Sequence, residues 1–233
     1  MCVIISSPYR QHRPSLDTLR ACERLNPHGS GIAWVQDKKA QWLKGLSADS
    51  LSDLLDILDG PVVIHFRIAT AGGRRPELCH PFPISPTAPL KTCGQAGAVL
   101  FHNGHWAKWE TFQREEGIKF EAAVSDSRVI ATAVHRYGRA ILETIPCRFA
   151  ILSRHGVELF GEWSAPQDDG CRYSNLHWQP KTHLDRTHRA GEPGKAAKVT
   201  TQPRPVLKQP NLLDMRQLRA PGLVREAMAC FGD

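Results

Sequence analysis

Cys2 follows the initiating Met1 directly, in the run MCVII (1–5). Methionine ahead of a small residue is a candidate for removal, and removal would leave Cys2 with a free α-amine. A thiol and an amine on one residue make a compact nucleophile–base pair, because the amine can take the thiol proton directly or through water. An α-amine titrates near pH 8 in model peptides, so much of it is neutral at cellular pH. The competing reading of Cys2 is a small apolar residue in a strand. The remaining cysteines, at 22, 79, 93, 147, 171 and 230, form no CxxC pair, so a zinc ribbon or a thioredoxin-like site is not indicated. Asn103-Gly104, taken alone, reads as a tight hairpin turn. His65, His80 and His102 lack metal-ligand spacing and read as structural residues. No cofactor is expected.

The elements that would hold these residues alternate between strands and helices. CVIISS (2–7) and PVVIHFRI (61–68) are apolar, β-branched runs that read as buried strands. GIAWVQ (31–36) and QWLKG (41–45) flank Asp37-Lys38-Lys39 and predict a hairpin. CRFAILSR (147–154) and VELFGEW (157–163) predict another around His155-Gly156. AGAVLFHNG (96–104) is a strand that runs into a turn, and CRYSNLHW (171–178) is a further candidate strand. Helical spacing is found at 15–25, at 51–60 ending on Gly60-Pro61, and at 125–145, where Ser125 or Asp126 supplies a start signal. Residues 71–95 are rich in Gly, Pro, Thr and Ser and predict a long irregular segment of the kind that carries function. Strands in adjacent pairs with helices between them predict α+β layers rather than a doubly wound parallel sheet.

Composition divides the chain near residue 178. The formal charge is +7 over 233 residues, with 30 Lys and Arg against 23 Asp and Glu. The excess is concentrated after 177, and residues 179–210 carry five prolines with no sustained apolar period. That stretch reads as a basic linker. Apolar spacing returns at Leu212, Leu213, Met215 and Leu218, and again at Leu223, Val224, Met228 and Phe231, where short amphipathic helices are expected. The domain is therefore placed at 2–178 and the basic tail at 179–233. No run approaches the roughly 20 apolar residues of a membrane helix. No basic stretch with an apolar h-region opens the chain. A cytoplasmic, reduced protein is expected.

Several segments, in order, resemble the class II glutamine amidotransferases. MCVII resembles the processed cysteine and its strand. NPHGSGIAW (26–34) resembles the family's Gly-rich segment. HFRIATAGG (65–73) followed by CHPF (79–82) resembles its strand, Arg, Thr, Gly and His-Pro-Phe pattern. LFHNGHW (100–106) resembles its His-Asn-Gly turn, and SDSRVI (125–130) supplies the acidic residue opening the next helix. The resemblance spans roughly 2–178. It implies a four-layer α/β/β/α sandwich of the N-terminal nucleophile hydrolase type, with Cys2 at the end of a central strand between two sheets. It also implies that the Asn103 side-chain amide and the Gly104 N–H hold the oxyanion formed when Cys2 attacks an amide, usually the largest catalytic contribution. Arg67 offers a fork that fits the α-carboxylate of a glutamine-type substrate, and Asp126 can pair with its α-ammonium. Thr70 and Gly72 would shape the pocket floor. Taken singly, Arg67 is a strand-end charge and Asp126 a helix cap.

The chain departs from the family in two places. Many members carry His after the threonine matching Thr70, where this chain has Ala71, as some phosphoribosyl-type members do. The Gly-rich segment usually has Asp where this chain has His28. The implied chemistry is release of ammonia from glutamine through a γ-glutamyl thioester, with a separate ammonia-accepting synthase as partner. A free-standing γ-glutamyl amide hydrolase would use the same residues, with the CHPF loop and Trp106 on the leaving-group side. A third reading is a non-catalytic binding protein whose tail contacts nucleic acid, although no known nucleic-acid motif is present.

Overall fold

A computed structural model of the chain describes residues 2–69 and 74–179. The expected linker and helices after 179, and Thr70 and Gly72, lie outside the described residues. The elements in chain order are β1 (Val3–Ser7), α1 (Leu16–Leu25), β2 (Ser30–Gln36), β3 (Lys39–Lys44), α2 (Ala48–Ile57), β4 (Val62–Phe66), β5 (Phe82–Pro83), β6 (Cys93–Ala96), β7 (Ala98–Asn103), α3 (Trp109–Glu115), α4 (Asp126–Tyr137), β8 (Arg148–Ser153), β9 (Gly156–Phe160) and β10 (Arg172–Tyr173). They build an α+β structure with two antiparallel sheets. One sheet has the order β10-β1-β4-β2-β3-β6 and the other β5-β7-β8-β9.

The alternation of side chains along each strand divides the apolar residues into three cores. Val3 and Ile5 of β1, Ile32 of β2, Leu43 of β3 and Ile64 of β4 point to one face of the larger sheet, where they meet Leu19 and Cys22 of α1 and Leu51, Leu54 and Leu55 of α2. Their neighbours Ile4, Ala33, Trp42 and Val63 point the other way, toward Val99 and Phe101 of β7 and Ala150 and Leu152 of β8. Leu100, Phe149 and Ile151 leave the far side of the smaller sheet and pack on Ile130, Ala131 and Val134 of α4. Layers of helix, sheet, sheet and helix result. β1 is buried along its whole length because both of its faces are covered. This explains why its sequence reads as an unbroken apolar run.

Local signals account for most boundaries. Ser15, Ser47 and Ser125 cap α1, α2 and α4, each accepting from the backbone N–H three residues on. The β2–β3 hairpin turns at Asp37 and Lys38, both at positive φ. The helix expected over 125–145 stops earlier: α4 closes at Gly138, whose N–H caps the Val134 carbonyl, and Arg139–Thr144 form a separate 3₁₀ turn. The strand expected over 171–178 shrinks to the two residues of β10. The irregular segment 71–95 contains the short strands β5 and the start of β6, and α3 has too little apolar periodicity to be legible in advance, since none of its residues is buried.

Candidate active site

Strand parity brings the sequence-derived residues to one end of the space between the sheets. β1 and β4 pair antiparallel with Val3 opposite Phe66. The next step of that register sets Cys2 beside Arg67. Cys2 shares the face of Ile4, and Arg67 shares the face of Val63 and His65, so both face the smaller sheet. Asn103 ends β7 on the face of Val99 and Phe101, which looks back at β1. Asn103 is 2% exposed and Arg67 8%, whereas Cys2 is half-buried.

Cys2 is held on two sides. The Ile68 N–H points at its Sγ at 3.3 Å, and Asn175 Nδ2 donates to its carbonyl at 2.7 Å. Burial pushes the thiol above its ordinary range, against the lowering effects of the Ile68 hydrogen bond and the Arg67 charge. A thiol so raised stays protonated at neutral pH and needs a nearby base before it can attack. Ile68 is kept in place by the Gly-rich segment. The Arg67 N–H donates to the Gly29 carbonyl at 2.7 Å, and the His28 N–H to the Arg67 carbonyl at 3.0 Å. His28 Nδ1 accepts from the Ala69 N–H at 2.8 Å. His28, which stands where the resembled family usually has Asp, thus works as an acceptor for the backbone beside Cys2. Gly31 is required for close approach, since a Cβ there would run into the His80 carbonyl. This seats the 79–82 loop on β2.

The Asn103 amide donates from Nδ2 to Ser174 Oγ at 2.8 Å. Gly104 follows at φ +152°, and a Cβ there would collide with the Cys147 side chain. Only glycine suits both demands. Asp126 sits beneath this turn. Its Oδ2 accepts from the Trp106 N–H at 3.3 Å and lies 3.6 Å from His105 Nδ1. Its Oδ1 accepts from the Ser127 N–H at 2.8 Å. Asp126 is therefore tied to the 103–106 turn as well as to the start of α4, a contact that neither cap nor ion-pair readings foresee.

His65, His80 and His102 form a buried column with ring centroids 4.3 Å apart for the first pair and 6.3 Å for the second. Burial drives the imidazoles down, His65 to about 3 and His80 also well below its ordinary value, so they are neutral. His102 is lowered by burial too, opposed by Asp126, and its Nδ1 meets Ser127 Oγ at 3.0 Å. Among the described residues no cluster of His, Cys, Asp and Glu is arranged to hold a metal ion, and no helix is long and apolar enough to cross a membrane.

The chain superposes on an allosteric regulatory enzyme of purine biosynthesis with a TM-score of 0.50 at 19% identity, covering 74% of this chain and 41% of that one. It also superposes on the glutamine phosphoribosylpyrophosphate amidotransferase of B. subtilis with a TM-score of 0.50 at 17% identity, covering 75% of this chain and 42% of that one. The chain shares its fold with these two enzymes. This chain spans less than half the length of those two enzymes. No family model and no curated protein matches the sequence. The packing of two sheets face to face explains why β1 is buried on both faces. Two residues at the site escaped sequence reasoning, Ser174 and Asn175. Their signal was present, since two polar residues right after Tyr173 fit poorly in a strand that should stay apolar, but nothing in the sequence placed them opposite β1.

Proposed function

We propose that this chain is an amidohydrolase of the glutamine amidotransferase type, with Cys2 as nucleophile once Met1 is removed. The single observation that carries the proposal is the convergence of Cys2, Arg67 and Asn103 at one end of the inter-sheet space. On this reading the Cys2 α-amine takes the thiol proton, and the sulfur attacks the side-chain amide of glutamine. The carbonyl oxygen becomes an oxyanion held by the second Nδ2 hydrogen of Asn103 and the Gly104 N–H. Collapse expels ammonia with a proton returned from the amine. Water then cleaves the γ-glutamyl thioester, giving glutamate and the free thiol.

Arg67 reads the α-carboxylate and Asp126 the α-ammonium, with Thr70 and Gly72 in the pocket floor. The expected acceptor of the ammonia is a separate synthase. The fold shared with a glutamine phosphoribosylpyrophosphate amidotransferase supports this reaction class. The test is intact-mass analysis before and after treatment with a diazoketone analogue of glutamine, followed by peptide mapping. A single adduct on an N-terminal Cys2 is expected. Active protein that keeps Met1 quantitatively would sink the proposal.

A further inference from the structure

We propose that Ser174 and Asn175 are the positioning residues that align the nucleophile with the oxyanion donor, a role that rests on the amidohydrolase reading above. β10 pairs with β1 for only two residues, Tyr173 opposite Ile5 and Arg172 opposite Ser6. Beyond Tyr173 the ladder continues, but with side chains in place of backbone. The Ser174 N–H still donates to the Ile4 carbonyl at 2.9 Å. The return bond goes from the Ile4 N–H to Ser174 Oγ at 2.8 Å. Asn175 then reaches past the strand end and donates to the Cys2 carbonyl at 2.7 Å.

The substitution has a consequence that a plain ladder would not give. A hydroxyl oxygen has two lone pairs. Ser174 Oγ accepts from the Ile4 N–H with one and from Asn103 Nδ2 with the other. One buried atom, 2% exposed as a residue, therefore ties β1 of the larger sheet to the end of β7 in the smaller. It occupies one Asn103 hydrogen and leaves the second for the oxyanion. In a dry interior such bonds are stiff.

Asn175 solves a different problem. A chain terminus frays unless it is tied down, and β1 begins only at Val3, one residue after the nucleophile. The Asn175 bond fixes the peptide plane following Cys2, while the Ile68 N–H fixes the sulfur. Thiol and α-amine are thereby held between two anchors. The Asn175 amide is itself oriented, because its Oδ1 accepts from the His177 N–H at 3.2 Å, which leaves Nδ2 as the group facing the Cys2 carbonyl.

The test uses full-length Ser174→Ala, Ser174→Thr, Asn175→Ala and Asn175→Asp. The readouts are kcat and KM on L-glutamine and the rate of Cys2 alkylation by iodoacetamide across pH. Ser174→Ala should lower kcat about 10–100-fold, the scale of a misplaced reacting group. KM and the alkylation rate should stay at wild-type values, since the thiol keeps its anchors. Ser174→Thr, which keeps the hydroxyl, should restore kcat. Asn175→Ala should lower kcat and the alkylation rate together, and Asn175→Asp at least as far, because a carboxylate facing a carbonyl repels it. Should Ser174→Ala not fold, Ser174→Cys makes the same comparison with a weak acceptor in place of a good one. Wild-type kcat and alkylation rates in these variants, with glutamine turnover intact in the parent, overturn the positioning role alone. A parent protein that neither hydrolyses glutamine nor labels at Cys2 overturns the amidohydrolase reading and this role with it.

Discussion

Asn103 and Ser174 meet through a 2.8 Å hydrogen bond that crosses from one sheet to the other. The bond leaves the Asn103 carboxamide with one hydrogen committed and one to offer. Asn103→Ala should lower kcat on glutamine by about 10²–10³, the usual effect of removing one oxyanion donor. KM should move little, because the donor acts on charge that develops only during attack. Steady-state kinetics decide the point, and a normal kcat with a raised KM would assign Asn103 to ground-state binding instead.

Cys2→Ala should abolish amide hydrolysis, while Cys22→Ala should leave kcat unchanged and lower the melting temperature. Cys22 is wholly buried on the core face of α1, where burial pushes its thiol far up and keeps it inert. Loss of activity from Cys22→Ala in protein that remains folded would move the nucleophile away from Cys2.

Gly104→Ala should damage both activity and stability. The added methyl meets the Cys147 side chain, and φ near +152° strains any residue with a Cβ. Strain of this kind costs about 1–3 kcal/mol, readable by denaturant titration. Relief takes a shift of the 103–106 turn, which also carries the Trp106 bond to Asp126. An Ala variant with wild-type kcat would show that the Gly104 N–H plays no part in the oxyanion site.

Arg67→Ala should raise KM for glutamine about 10–100-fold, the value of charge-assisted hydrogen bonds to a carboxylate. Its effect on glutamine-like amides without the α-carboxylate should be small. The Arg67 N–H and carbonyl bonds to the Gly-rich segment are backbone bonds and are kept in the variant. Equal KM changes on both substrates would remove the carboxylate-binding role.

The strands that carry the candidate residues were legible in advance because they are regular elements with apolar runs. The apolar runs of β1, β4 and β7 announced the strands, and the family resemblance singled out Cys2, Arg67 and Asn103 on them. Ser125 announced the start of α4 in the same way, whereas α1 was read from its helical spacing alone. What stayed hidden depends on contacts across long sequence gaps. The Ser174 and Asn175 bonds to β1 join residues more than 160 positions apart, and no local pattern encodes such pairing. His28 was visible as a departure from the resembled family, but its work as acceptor for the Ala69 N–H appears only when the loop is folded. The early end of α4 was missed because apolar spacing continues through Ile141 and Leu142, which pack on the same core from a 3₁₀ turn.

Acid should unfold this protein through its buried histidines. His65 is wholly buried and His80 and His102 nearly so, and burial lowers all three, His65 to about 3. Unfolding restores an ordinary imidazole value near 6.5. Between those limits the unfolded chain binds protons that the folded chain refuses, so stability is fully present above about pH 6.5 and is lost as pH falls toward the folded values. Each histidine contributes a slope of up to about 1.4 kcal/mol per pH unit in that window. The groups facing the column are the Lys44 ammonium, itself lowered by burial to about 7, and the Arg67 guanidinium, both of which disfavour a second positive charge, with Asp126 opposing them at His102. Urea titrations from pH 7.5 to 4.5 should show a steep fall in stability below pH 6.5. His65→Phe or His80→Phe, if it folds, should flatten the slope by roughly one proton's worth. A wild-type profile flat to pH 4.5 would mean that the column takes up protons in the folded state.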